Sequence, residues 1–234
     1  MDSVWEELAP GVVRRRMPGW DETVGAVAGS RGVLVVDTGA TLRDGAAVRR
    51  EVCERFGQPV THVVLTHPHF DHVLGTAAFA GVEVYGAVGT AELLRRSADA
   101  LRLDAVRHGV PADTAAEAAD VLVSPHHEVS GEMSLSLGDR RVLLANIGPG
   151  HTGHDLAVLV PGSPDVVFCG DLVEESGEPQ AGPDAQPARW PEALDRLVAL
   201  GGPDAVYVPG HGAVVDAAFV HTQRAALARR FGEG

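Results

Sequence analysis

The segment Thr66-His67-Pro68-His69-Phe70-Asp71-His72 follows directly on the apolar run Val60 to Leu65. Three imidazoles and a carboxylate crowded into residues 67–72 are costly to hold together unless a cation offsets them, and they are the ligand types that a borderline-soft divalent metal takes. His67 and His69 lie two apart, so in an extended segment or a tight loop leaving a strand their side chains can converge on one ion. Asp71-His72-Val73-Leu74-Gly75 reads as a helix start with Asp71 near its N-terminus, which aims the second pair at a neighbouring position. The spacing predicts half of a two-metal site, with His67 and His69 on one ion and Asp71 and His72 on the other. The plain alternative is a polar loop with surplus histidines.

The flanking sequence predicts alternating strands and helices. Gly11 to Met17, Glu22 to Ala28 and the continuous apolar run Val33 to Val36 read as strands. Asp37-Thr38-Gly39 closes the last of them, with Asp37 either a turn residue or a carboxylate that orients a metal-bound histidine. Thr41 to Phe56 reads as a helix stopped by Gly57, Val60 to Leu65 as a strand, and Val82 to Tyr85 as another. The alanine-rich stretch of about 90–120 reads as a helical insertion broken near Gly109-Val110-Pro111, either a passive surface pair, a lid or an oligomer contact. A second strand-rich half follows in Glu132 to Leu137, Arg141 to Ile147, Leu156 to Val160 and Val166 to Cys169. Pro191 to Leu200 and Asp216 to Phe231 then read as helices. Two such halves predict an α/β (α+β) fold of the αββα type, two mixed sheets face to face with helices outside, in one domain over 1–234. No residue-level repeat marks the halves.

Charge narrows the function. The formal net charge is −13 and all 19 basic residues are arginine, so phosphate-backbone binding is disfavoured and a lysine Schiff base is excluded. Cys53 and Cys169 are too few for a disulfide framework and read as small buried hydrophobes. The start Met1 to Glu7 has no basic and apolar export pattern, and no window approaches a membrane span. A cytoplasmic location is expected, with a small-molecule substrate and either a monomer or a homodimer.

His67-x-His69-x-Asp71-His72 resembles the signature of the metallo-β-lactamase fold superfamily, and Gly150-His151-Thr152-Gly153-His154, Phe168-Cys169-Gly170-Asp171 and Pro209-Gly210-His211-Gly212 follow in that superfamily's order. The resemblance implies two divalent ions, zinc first and iron or manganese as alternatives. His67, His69 and His151 would bind one, Asp71, His72 and His211 the other, and Asp171 would bridge them. Each downstream ligand is then expected where a strand ends. The resemblance also implies hydrolysis by a metal-bridging hydroxide, with Asp71 and Asp171 as catalytic groups. His154 is a further catalytic candidate, read as a proton shuttle, as a donor supporting a ligand, or as the turn partner of Asp155. His126-His127 is assigned to an exposed turn, and the Gly- and Pro-rich segment Glu174 to Arg189 to a wall of the substrate pocket.

The expected substrate is a small ester, thioester or lactone. β-Lactamases of this fold lack an aspartate bridge. Glyoxalase II enzymes share the full ligand set but add a C-terminal helical region, and acyl-homoserine lactonases carry a tyrosine where this chain has Leu172-Val173-Glu174-Glu175. Alternatives are an iron-dependent redox enzyme similar to persulfide dioxygenases, a β-lactamase, and a non-catalytic binding module.

Overall fold

A computed structural model describes residues 5–232. In chain order, β1 (Glu6–Ala9), β2 (Val12–Arg16), β3 (Thr23–Gly29) and β4 (Gly32–Val36) precede helix α1 (Leu42–Phe56). β5 (Val60–Val64) leads through the single turn α2 (Phe70–Val73) to β6 (Glu83–Ala87), followed by α3 (Thr90–Arg107), α4 (Ala112–Asp120) and β7 (His127–Val129). The second half runs β8 (Glu132–Ser136), β9 (Arg141–Asn146), β10 (Leu156–Val160), β11 (Val166–Glu174), α5 (Trp190–Gly201), β12 (Val206–His211) and α6 (Ala217–Phe231).

The strands form a seven-stranded sheet in order β1-β2-β3-β4-β5-β6-β7 and a five-stranded sheet in order β12-β11-β10-β9-β8. Both are mixed: β4, β5, β6 and β7 run parallel in the first, β11 and β12 in the second, and the other pairs are antiparallel. Period-two alternation assigns each strand's faces. Val33 and Val35 pack outward against α1, α3 and α4, through Val48, Val52 and Leu94, while Leu34 and Val36 join Val158, Phe168 and Val208 between the sheets. In β11, Val166 and Phe168 face that inner layer, and Val167 and Cys169 face α5 and α6 through Leu194, Leu197 and Leu227. The layers are therefore helix, sheet, sheet, helix, as the pattern of elements predicts. Helix ends follow local chemistry: Thr41 caps α1 by accepting from Asp44 N–H, Gly57 stops it at φ 63°, and Asp216 caps α6.

Three local expectations are corrected, and one strand is added. The helix starting at Asp71 is one turn long, because the chain is pressed between α1 and the β4 exit at Gly75. A Cβ on Gly45 would lie 2.2 Å from Gly75 O, and one on Gly75 2.0 Å from Thr38 O. β11 does not end at Cys169 but continues to Glu174 through register shifts around Gly170, so Asp171 lies within a bulged strand rather than beyond its end. Such bulges re-aim side chains without ending the sheet. His127 is not in a turn: it opens the edge strand β7, pairs with Tyr85 and stacks on its ring at 4.6 Å. β1, with two exposed glutamates, carries no apolar alternation and is not foreseen. The break between α3 and α4 falls where Gly109-Val110-Pro111 predicts it. No helix among the described residues is long and apolar enough to cross a membrane, and Met1 to Val4, part of the stretch read for an export signal, lie outside the described residues.

Candidate metal centre

The two sheets deliver their side chains to one edge of the sandwich. His67 follows β5, His69 immediately precedes α2, and Asp71 and His72 lie in α2; from the other sheet come His151 after β9, Asp171 in β11 and His211 at the end of β12. These side chains form two groups, His67, His69, His151 and Asp171 in one and Asp71, His72 and His211 in the other, with candidate ligand atoms within 4.8 Å of one another in each. Asp171 stands between them. Its Oδ2 is 3.6 Å from His67 Nε2, 3.5 Å from His151 Nε2 and 3.3 Å from His211 Nε2, and its Oδ1 is 3.2 Å from His72 Nε2. Asp71 Oδ2 lies 3.3 Å from His211 Nε2 and 3.6 Å from His72 Nε2. Glycine makes this approach possible, since a Cβ on Gly210 would sit 1.8 Å from Asp171 Oδ1.

The outward nitrogen of every ligand-type histidine meets an oxygen. His72 Nδ1–H donates to Asp37 Oδ2 at 2.9 Å, and His67 Nδ1–H donates at 3.1 Å to Thr66 Oγ1, whose own hydroxyl donates to Asp37 Oδ2. His151 Nδ1–H donates to Gln180 O at 3.0 Å, His211 Nδ1–H to Trp20 O at 2.7 Å, and His69 Nε2–H to Asp184 Oδ2 at 3.1 Å. Such partners select the tautomer that leaves the inward nitrogen bare. Asp37 thereby orients a ring in each group, which favours the second of its two sequence readings.

The inward atoms fit a cation. His67 Nε2, His72 Nε2 and Asp171 Oδ1 are buried without a hydrogen-bond partner, a condition that costs roughly 1–3 kcal/mol per group. His151 Nε2 and His69 Nδ1 face each other at 3.0 Å. Gln180 O and Asp184 only accept on the far sides, so in neutral rings these two nitrogens present bare lone pairs to one another, an arrangement a cation relieves. The donors are nitrogen and oxygen throughout, suited to a borderline divalent ion.

Burial sets the electrostatics. It pushes His67 well down and His151 down to about 4. Burial would raise the Asp171 carboxyl, but the His211, His72 and His67 charges hold it well below the usual range. Burial likewise opposes charge on His72 and His211, and Asp171 leads the carboxylates that raise both. Glu22, beside this cluster and 1% exposed, is pushed up to about 8 by burial and then by the Asp71 charge.

Sequence reasoning missed Glu22, Gln180 and Asp184. None stands in a ligand-like spacing, and the available signal was only that 174–189 walls the pocket. His154 stands apart. It belongs to neither donor group nor to the lining of the adjacent cavity, and its Nδ1 lies 2.8 Å from Val88 O at the entry to α3. Its backbone N–H donates to Thr152 Oγ1, within the turn that buried Asp155 pins through Thr152 N–H and Oγ1 beside His151. A cavity of about 710 Å³ opens over the donor groups, walled on one side by α3 and on the other by residues between Glu174 and Asp184.

The family model for the metallo-beta-lactamase superfamily matches residues 18–211. Metallo-beta-lactamase domain-containing protein 1 of Xenopus laevis is 31% identical over 197 residues, covering 82% of this chain and 71% of the relative. A metallo-beta-lactamase type 2 of Bacillus cereus is 24% identical over 191 residues, which cover 80% of this chain, and the chain spans 65% of that relative's length. Among solved structures, a metallo-beta-lactamase from Pontibacter korlensis superposes with a TM-score of 0.76 at 21% identity, covering 97% of this chain and 99% of the other. The metallo-beta-lactamase FIM-1 from Pseudomonas aeruginosa, in its mono-zinc form, gives 0.76 at 22%, with 100% and 98% covered. At these identities the superpositions establish the fold.

Proposed function

The chain belongs to the metallo-β-lactamase superfamily, and on that premise we propose that it is a hydrolase using two divalent ions, zinc first, to open a small ester, thioester or lactone. The observation that carries this reading is the position of Asp171, whose single carboxylate lies within 3.6 Å of imidazole nitrogens from both donor groups, as a bridge between two ions requires. His67, His69 and His151 would hold one ion, Asp71, His72 and His211 the other, and Asp171 both. When bound, such ions lower the pKa of a coordinated water toward neutrality and polarise a carbonyl oxygen.

The chain's own residues supply the rest. The oxygen partners of the five rings fix their tautomers before substrate arrives, so the donors need no reorganisation during the reaction. Asp71 accepts a hydrogen bond from the attacking water and turns a water lone pair toward the carbonyl carbon. Neither Cys53 nor Cys169 belongs to the donor groups or lines the cavity, and burial raises the Cys169 thiol far above its ordinary range. His154 is assigned to holding the entry to α3 rather than to proton transfer.

Protein prepared without added metal and titrated with Zn²⁺ should take up about two ions per chain and gain hydrolysis of p-nitrophenyl or thioester substrates in step with uptake. Asp171→Ala retaining full metal content and full activity would refute the reading. β-Lactam hydrolysis is the second reading, favoured by the similarity to the Bacillus cereus relative; nitrocefin turnover exceeding that of every ester by the same preparation would establish it.

A further inference from the structure

Resting on the hydrolase reading above, we propose that the substrate is uncharged and carries an apolar arm. The arm, an acyl chain of several carbons, lies along α3 while its carbonyl sits over the donor groups. The cavity is continuous from His69, Asp71 and Asp171 to one face of α3. The α3 residues that line it begin with Leu93, Leu94, Ser97, Ala100 and Leu101, the three- and four-residue spacing of a single helix stripe. Leu93 to Leu101 spans about 12 Å of helix, and Ser97 is its one polar side chain. Leu94 and Leu101 are buried in the outer core, but Leu93 is half-buried and Ala100 exposed, so the strip is apolar surface left open beside the metal ligands. Phe70 and Trp20, edge to face at 5.5 Å, add apolar lining near the ligands.

Charge selects against an ionised occupant. Beyond the ligand-type carboxylates, the lining carries Asp104, Glu174, Glu178 and Asp184. Arg107 is the one arginine among the lining residues, and it already lies 3.9 Å from Asp104. In a chain of net charge −13, a substrate bearing its own carboxylate meets like charge from both walls of the cavity. An alkyl chain meets none and gains burial.

The test measures calorimetric binding of butanamide, hexanamide and octanamide to the zinc-loaded full chain, with kcat/KM for the matching p-nitrophenyl esters. Each added methylene should tighten binding about fourfold, the gain for burying a CH₂. Ser97→Asp should flatten the series and Ser97→Val should tighten octanamide. Affinity independent of chain length, or a series that neither variant alters, overturns the arm on α3. Chain-length-dependent binding without ester hydrolysis upholds the arm and overturns the hydrolase reading; hydrolysis with a flat amide and ester series does the reverse.

Discussion

Asp37→Asn isolates what the carboxylate behind the candidate metal ligands does. Asp37 is 2% exposed, adopts φ 60°, and accepts from Thr66 N–H at 2.8 Å, from Thr66 Oγ1–H at 2.7 Å and from His72 Nδ1–H at 2.9 Å. Asparagine tolerates this left-handed backbone as well as aspartate does, so the turn survives. The amide oxygen can still accept from Thr66 N–H, but the amide nitrogen then faces His72 Nδ1 and Thr66 Oγ1 and can only donate. His72 must shift its proton to Nε2, and Thr66, no longer able to donate to residue 37, turns its hydroxyl toward His67 Nδ1 with the same consequence. A protonated Nε2 is not a metal ligand. Loss of such a partner lowers metal affinity about 10- to 100-fold, or about 1.4–2.7 kcal/mol. Because Asp37 serves a ring in each group, both affinities should fall. Competition against a chromophoric chelator reads both steps. A variant whose two dissociation constants match the parent's within twofold would refute the tautomer argument.

Asp184→Asn should act more weakly. Its pair with His69 is 44% exposed on the carboxylate side, and surface pairs are worth about 0–1 kcal/mol, so the same chelator assay should register less than about a fivefold loss. Cys169 is 1% exposed with a thiol pushed far up by burial, whereas Cys53 is half-buried; Ellman's reagent should therefore label one thiol in the native chain and both after denaturation. Glu22 keeps its proton to about pH 8 in the metal-free fold against the ordinary 4.5. The native state thus binds more protons over that window, and stability should fall as pH rises through it, by at most about 1.4 kcal/mol per pH unit. Glu22→Gln should flatten that slope in denaturant melts.

Much of this organisation is legible in the sequence because it is local. Continuous apolar runs mark β4, β10 and β11, period-two alternation marks β8, and Thr41 with Gly57 delimits α1, since each feature is decided within a few residues. The dense 67–72 motif marks its own candidate donors for the same reason. What escapes is set by tertiary contact. The register shifts that keep Asp171 inside β11 depend on the pairing with β12. The truncation of α2 depends on the contact of Gly45 with Gly75. Glu22 reaches the site from a distant turn bridged to His211, and Asp184 through a loop whose composition says only that it is irregular. His154 shows the converse: a histidine three residues from the candidate ligand His151 points its ring at Val88 O instead.

The distribution of donors over the layers couples metal binding to the fold itself. His67, His69, Asp71 and His72 come from the seven-stranded sheet, and His151, Asp171 and His211 from the five-stranded one, so each donor group draws on both. An ion in either group therefore ties sheet to sheet, while in the unfolded chain the two halves of each group are far apart. Binding energy then becomes folding energy. At free zinc about 100 times the dissociation constant, one ion adds about 2.7 kcal/mol, which for a chain of this size is about 5–10 °C in Tm. The stabilisation should also be shared across the layers. Chelation should lower Tm and speed amide exchange in β5, β11 and β12 together, because the tie links the ends of those strands. A Tm indifferent to zinc would mean that the donors do not close on a metal, and exchange that rises only in the 174–189 loop would mean that the metal orders the cavity wall without joining the sheets.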